Sequence, residues 1–174
     1  MCGLVGIVGC RAPDAERREL VHAMAATMAH RGPDGEGYVS RADCALGFRR
    51  LAIIDVAAAS PPFANEDGSI WSICNGQIYN APELTDALVA RGHQLRTKTD
   101  TEVIPHLYEE HGAGLVERLN GMFAFAVWDE PRGRLLLARD RAGEKPLFYW
   151  SDGRELVFAS DLRAFLVHPR IPKA

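Results

Sequence analysis

Between Gly121 and Asp161 the chain leaves little room for helices. Four short apolar segments, MFAFAVWD, RLLLARDR, PLFYW and ELVFASD, are separated only by EPRG, AGEK and SDGR, each a turn signal. The opening of the chain is of the same kind: Cys2 to Gly9 alternates small and branched apolar residues with glycines, which predicts a buried strand closely approached by other backbone. Two more extended segments, Ala45 to Val56 and Ile70 to Tyr79, flank the turn-prone NEDG of Asn65 to Gly68 and read as neighbouring strands. His30 to Gly37, HRGPDGEG, stacks turn formers and reads as a loop. Leu162 to Val167 suits a short last helix.

The middle of the chain carries helical periodicity. Asp14 is placed to cap a helix running to about Met28, with Leu20, Met24 and Met28 on one face. Asn80 as cap and Pro82 in the first turn open a second helix, which turns Leu84, Leu88 and Val89 inward until Gly92 stops it. A third is expected just after Asp100. Strands at both ends with helices between them argue for an α+β fold with mostly antiparallel sheets, not for alternating βαβ units. No linker or internal repeat divides the 174 residues, which suit one domain.

Composition excludes several classes of function. At 47% hydrophobic and 25% charged the chain can bury a core without disulfides or metals. Its 20 Lys+Arg against 23 Asp+Glu give a net charge of −3 with no basic block, so no nucleic-acid binding is expected. No apolar run spans a bilayer and the first residues lack the features of a signal peptide, which predicts a cytoplasmic chain without membrane contact. Cys2, Cys10, Cys44 and Cys74 form no Cys-x-x-Cys pair and are expected to be reduced thiols. Glu102, His106 and Glu110 can share a helix face in imitation of a metal site; such groups are usually solvated, the tight metal-binding signatures are missing, and no metal is expected.

The chemical clue is Cys2. Once Met1 is removed, its α-amine has a reference pKa of about 7.7–8 against about 8.5 for the thiol, so the amine can take the thiol's proton and one residue becomes nucleophile and base together. Position alone leaves the alternative open that Cys2 is a small apolar strand residue.

Eight segments in order resemble the class II glutamine amidotransferases, and among them the N-terminal domain of glutamine-hydrolysing asparagine synthetases: CGLVGIVG at Cys2, HRGPDGEG at His30, FRRLAIID at Phe48, NGQIYN at Asn75, TDTEVI at Thr99, LNGMFAFAVWD at Leu119, ARDRAGEKPLFY at Ala138 and FASDLRAFL at Phe158. They cover nearly the whole chain, and the resemblance implies one such domain over residues 2–174. It further implies a four-layer α-β-β-α sandwich of two stacked antiparallel sheets, the N-terminal nucleophile hydrolase type. The implied reaction is attack of the Cys2 thiolate on the carboxamide of L-glutamine, release of ammonia, and hydrolysis of the glutamyl thioester to glutamate.

By resemblance, the Asn75 side-chain amide and the Gly76 backbone N–H stabilise the oxyanion; Asn-Gly alone would read as a turn between strands. Arg50 holds the α-carboxylate, for which its planar fork is suited, and Asp100 the α-ammonium. A surface ion pair for Arg50 and a helix cap for Asp100 are their bland readings. Main-chain groups of Leu51, Ala52, Ile53 and Ile54 border the same pocket, and His30 is a structural hydrogen-bonding residue. Gln77 stands where the family usually has glutamate, which is expected to weaken substrate binding, and Pro61-Pro62 stands where it often has Gln-Pro.

The synthetase half of the family's larger members has no counterpart here. Neither a Ser-Gly-Gly-x-Asp-Ser loop nor a Walker-type loop occurs, so no nucleotide is expected to bind, and ATP and Mg belong to the synthetase domain alone. The chain is then expected to supply ammonia to a synthetase domain or partner chain, as the front of a longer protein or beside a separate one. A non-catalytic module of the same fold, or an amidotransferase serving another acceptor, are the alternatives.

Overall fold

A computed structural model of the protein describes residues 1–9, 13–55, 57 and 60–173. Cys10, and Val56 at the end of one expected strand, lie outside the described residues. In chain order the elements are β1 (Gly3–Val8), α1 (Asp14–Ala26), β2 (Gly35–Arg41), β3 (Cys44–Arg50), β4 (Phe63–Ala64), β5 (Ile70–Ile78), α2 (Ala81–Ala90), α3 (Val103–His111), β6 (Gly121–Asp129), β7 (Arg134–Arg139), β8 (Phe148–Ser151), β9 (Leu156–Ala159) and α4 (Arg163–Leu166). A 3-10 turn over Asp100–Glu102 leads into α3, and another, Gly112–Glu117, follows it.

The strands form two antiparallel sheets, one ordered β2-β3-β1-β9-β8 and the other β4-β5-β6-β7. Period-two alternation explains their stacking. In β6, Ala124, Ala126 and Trp128 point into the core between the sheets, where they meet Leu4, Leu46, Phe48, Ile73 and Phe158. The alternate residues Phe123, Phe125 and Val127 face the other way and pack against Val103, Ile104 and Leu107 of α3 and Leu88 of α2. Val5 and Ile7 of β1 likewise turn outward to Val21 and Met24 of α1 and Phe165 of α4. Both sheets are therefore buried on both faces, which is the four-layer α-β-β-α arrangement. Each large side chain removed from water in the middle layer contributes roughly 1.5–3 kcal/mol. No helix among the described residues is long and apolar enough to cross a membrane.

Several local expectations need correction. The segments around residues 45 and 70 are not neighbouring strands: β3 lies in the first sheet and β5 in the second, and the NEDG turn joins β5 to the short β4. β3 also ends at Arg50, leaving residues 51–55 irregular. The HRGPDGEG segment is a loop only as far as Asp34; Gly35, Glu36 and Gly37 begin β2 and pair with β3. Glycine at 37 answers to packing and not to a turn, since a Cβ there would fall 2.0 Å from the Pro61 carbonyl oxygen. Asp14 is the first residue inside α1 and not its cap; its carboxylate receives Arg17, Arg18 and Ser40, fastening the helix to β2. Val89 faces solvent, whereas Leu84 and Leu88 pack inward. Glu102 and His106 are buried rather than solvated: both oxygens of Glu102 are taken up by the N–H groups of Arg96 and Thr97, each at 2.7 Å, with the Thr97 hydroxyl at 2.5 Å.

Candidate active site

Cys2 stands just before β1, whose place between β3 and β9 fixes it from both sides. Its Sγ lies 3.3 Å from the Leu51 N–H, which donates to it, and 3.6 Å from the Leu51 carbonyl oxygen. The Cys2 carbonyl oxygen accepts from Arg31 Nε at 3.1 Å. Burial pushes the thiol above its usual range, while the Leu51 N–H, the terminal ammonium, Arg50 and Arg31 act against that rise. Cys74 is wholly buried and its thiol is driven much higher still, with no comparable set of donors. The surroundings thus disfavour the thiolate at Cys2 far less than at Cys74.

The irregular stretch after β3 is held by the two segments beside it. Arg50, only 7% exposed, donates through Nη2 to the carbonyl oxygens of Ile54 at 3.1 Å and Asp55 at 2.6 Å, which curls residues 51–55 around its guanidinium. The surface ion-pair reading of Arg50 therefore fails. Asp34 accepts the Ala52 N–H at 2.9 Å, and Asp55 accepts the Lys98 N–H at 2.9 Å. His30 sits at the outer edge, 2.6 Å from Arg163 Nη2, as a surface hydrogen-bonding residue.

The facing wall comes from the second sheet. Asn75 and Gly76 are inside β5, paired with Ala124 and Phe123, so the turn reading of Asn-Gly fails. Asn75 and Gln77 continue the row of Trp71 and Ile73 on the face turned toward the other sheet. Asn75 is 1% exposed, and its Nδ2 has no hydrogen-bond partner among the described residues. At Gly76 a Cβ would lie 2.3 Å from the Met122 carbonyl oxygen, a backbone atom, so only glycine allows β5 and β6 to approach this closely. Asp100 closes the wall by accepting the Ile78 N–H at 2.7 Å. Thr99, not Asp100, is the residue that precedes the 3-10 turn. Burial raises the Asp100 carboxyl above its ordinary range, against the pull of the Ile78 N–H.

These walls enclose one cavity of about 170 Å³. Cys2, Arg50, Leu51, Ile53, Ile54, Asn75, Gly76, Gln77 and Asp100 all line it. Ala52 does not; its N–H turns to Asp34 instead. Sequence reasoning missed Phe48, Phe63, Met122 and Lys145, which also line the cavity. Phe48 was open to detection, since it immediately precedes the Arg-Arg pair, whereas Met122 arrives only through its register opposite Gln77. A thiol, an amide donor without a partner among the described residues, a guanidinium and a carboxylate thus share one cavity.

The whole chain, residues 1–174, matches the family model described as "Glutamine amidotransferase domain". Asparagine synthetase [glutamine-hydrolyzing] 2 of Bacillus subtilis (strain 168) is 43% identical over 175 residues, 99% of this chain and 23% of that protein. Asparagine synthetase [glutamine-hydrolyzing] 3 of Arabidopsis thaliana is 40% identical over 165 residues, 94% of this chain and 28% of that protein. The chain therefore spans about a quarter of the length of the curated relatives it matches. Among solved structures, glutamine phosphoribosylpyrophosphate amidotransferase from B. subtilis, complexed with ADP and GMP, superposes with a TM-score of 0.77 at 23% identity over 95% of this chain and 43% of that one. A structure described as the allosteric regulatory enzyme of purine biosynthesis gives 0.79 at 24% identity, with the same coverage. At such identities these two bear on the fold alone, and they have the stacked-sheet arrangement found here. The match over the full chain, with relatives at 40–43% identity along nearly all of it, makes this protein a member of the glutamine amidotransferase domain family.

Proposed function

We propose that this domain hydrolyses L-glutamine to glutamate and ammonia, with Cys2 as nucleophile, and that the ammonia serves asparagine synthesis in a synthetase domain or partner chain. The observation that carries the reading is the confrontation, across one cavity, of the Cys2 thiol with the buried amide of Asn75, whose Nδ2 has no hydrogen-bond partner among the described residues.

With Met1 removed, the Cys2 amine accepts the thiol proton and Sγ attacks the carboxamide carbon of glutamine. The carbonyl oxygen becomes an oxyanion, for which Asn75 Nδ2 and the Gly76 N–H are the donors; Asn75 Nδ2 leaves no partner among the described residues in order to serve. Collapse of this intermediate breaks the C–N bond, and the departing nitrogen takes the proton from the amine to leave as ammonia. Water, deprotonated by the same amine, then attacks the thioester, a second oxyanion forms in the same place, and glutamate leaves as the thiol is restored. Arg50 holds the α-carboxylate, having been aimed by its bonds to the Ile54 and Asp55 carbonyls. Asp100 and Gln77 receive the α-ammonium, and main-chain groups of Leu51, Ile53 and Ile54 border the substrate. Ala52 is given a supporting role only.

In this reading the domain needs no cofactor; ATP and Mg act in the synthetase part. Neither nucleic acid nor membrane is a partner, and the setting is cytoplasmic. The test is glutamate release from glutamine by the purified protein. Cys2→Ala should abolish it while circular dichroism stays unchanged. Turnover by that variant, or none by the parent protein with an intact, unblocked Cys2 amine, would overturn the assignment.

A further inference from the structure

A second group of chemistry-bearing side chains lies where the turn before β5, the segment after α2 and helix α3 meet. Glu66 Oε1 is 3.1 Å from His93 Nδ1 and 3.3 Å from His106 Nδ1, and one ligand atom from each of the three residues lies within 4.8 Å of the other two. The same oxygen accepts the Gln94 N–H at 2.8 Å. A carboxylate oxygen has two in-plane lone pairs, too few to accept from the Gln94 N–H and both imidazoles. His106, 1% exposed, is left over: both of its ring nitrogens lack a hydrogen-bond partner among the described residues. Such a buried and aimed imidazole requires a reason.

His93 presents the complementary problem. Its Nε2 is 3.3 Å from Glu110 Oε1, so the ring lies between two carboxylates. In a neutral imidazole only one nitrogen carries a proton. Directed to Glu110, that proton leaves the Nδ1 lone pair facing Glu66, a repulsive contact unless a cation lies between them. A proton on His93 would relieve that contact and still leave His106 unpartnered. One metal ion bound by Glu66 Oε1, His93 Nδ1 and His106 Nδ1 gives these three atoms a shared partner.

We propose that Glu66, His93 and His106 bind one divalent ion of the zinc class, with water in the remaining position. The donor set of two imidazoles and one carboxylate suits zinc, whereas calcium and magnesium take oxygen ligands. Bonds of about 2.0–2.1 Å to a tetrahedral ion put neighbouring ligand atoms about 3.3–3.4 Å apart, close to the two contacts of Glu66 Oε1. Glu110 supplies the outer carboxylate that fixes the tautomer of His93, and it is itself held by Arg91. Residues 65–68, 93–94 and α3 are separate in sequence, so the ion acts as a clamp among them. From this clamp the chain runs directly to Thr99 and Asp100 at the wall of the cavity.

The test is titration of chelator-stripped protein with Zn²⁺ against a chromophoric chelator, and with Co²⁺ followed by its visible spectrum. One ion per chain is expected, with a cobalt spectrum lacking thiolate charge transfer. Glu66→Gln and His93→Asn, both at positions reached by solvent, should each weaken binding more than about tenfold, and Glu110→Gln by about 10–100-fold. Zinc at a hundredfold excess over its dissociation constant should raise the melting temperature of the parent protein by about 5–10 °C and leave that of His93→Asn unmoved. Cys2→Ala should keep the site. Absence of stoichiometric binding, undiminished affinity in Glu66→Gln and His93→Asn, or loss of binding in Cys2→Ala would each overturn the proposal.

Discussion

Asn75→Ala separates catalysis from stability at a single residue. The side chain is 1% exposed, and its Nδ2 donates to nothing among the described residues. A buried amide donor without a partner carries a penalty of about 1–3 kcal/mol. Truncation removes that penalty and also removes packing, a loss of similar size for the few atoms deleted. The two nearly cancel, so the melting temperature should stay within about 4 °C of the parent's. Catalysis has no such compensation. Losing one oxyanion donor costs about 10²–10³ in kcat, equivalent to about 2.7–4 kcal/mol. Since the bond to an oxyanion is made in the transition state and not to the bound substrate, kcat should fall with KM unchanged. A coupled glutamate-release assay over a range of glutamine concentrations gives both constants, and a thermal melt gives the third quantity. A normal kcat, a loss confined to KM, or a drop in melting temperature well beyond that range would mean that Asn75 is a structural amide and not a donor held for the reaction.

Gln77→Glu should lower KM for glutamine by about tenfold, the difference between a neutral and a charge-assisted hydrogen bond, with little change in kcat; γ-glutamyl analogues lacking the α-amine are the control and should respond less. Because burial raises the Asp100 carboxyl and the ammonium needs its ionised form, KM for glutamine should climb on acidification while the pH is still above about 3.9, the ordinary aspartate value; a KM that is flat down to that pH speaks against an ammonium contact. Intact mass should show the mature chain starting at Cys2, and protein retaining Met1 should be inactive, as its nucleophile would lack the free amine; full activity with Met1 present would exclude the amine as base.

Much of this was legible in the residues because period and turn chemistry are local. The run of strands after Gly121 and the helix from Pro82 to Gly92 were read from apolar spacing and glycine or proline punctuation alone. What escaped was long-range. β3 and β5 have the same apolar look, and nothing local says that one belongs to each sheet. The strand at Gly35 was hidden by its glycines, which serve close packing against Ser60 and Pro61 and not a turn. In the site, resemblance supplied half of the lining residues, but it erred at Ala52, where a carboxylate from the HRGPD loop claims the N–H. Met122 is brought to the cavity by strand register, and the Glu66–His93–His106 group by the meeting of three segments. Spacing along α3 suggested instead Glu102, which the structure occupies with backbone N–H groups.

The central place of β1 in its sheet bears on the order of events during synthesis. This strand has β3 on one side and β9 on the other, with Val5 opposite Ala159 and the Leu4 carbonyl accepting the Ser160 N–H at 2.9 Å. A nascent chain can pair β1 with β3 early, yet one edge of β1 stays open until the last strand has left the ribosome. Contacts of such sequence separation form late. Cys2, next to β1, is therefore fixed in place only when residues near 160 have folded back onto that strand. In the proposed reading, amide hydrolysis waits until the sheet that orients the thiol is whole.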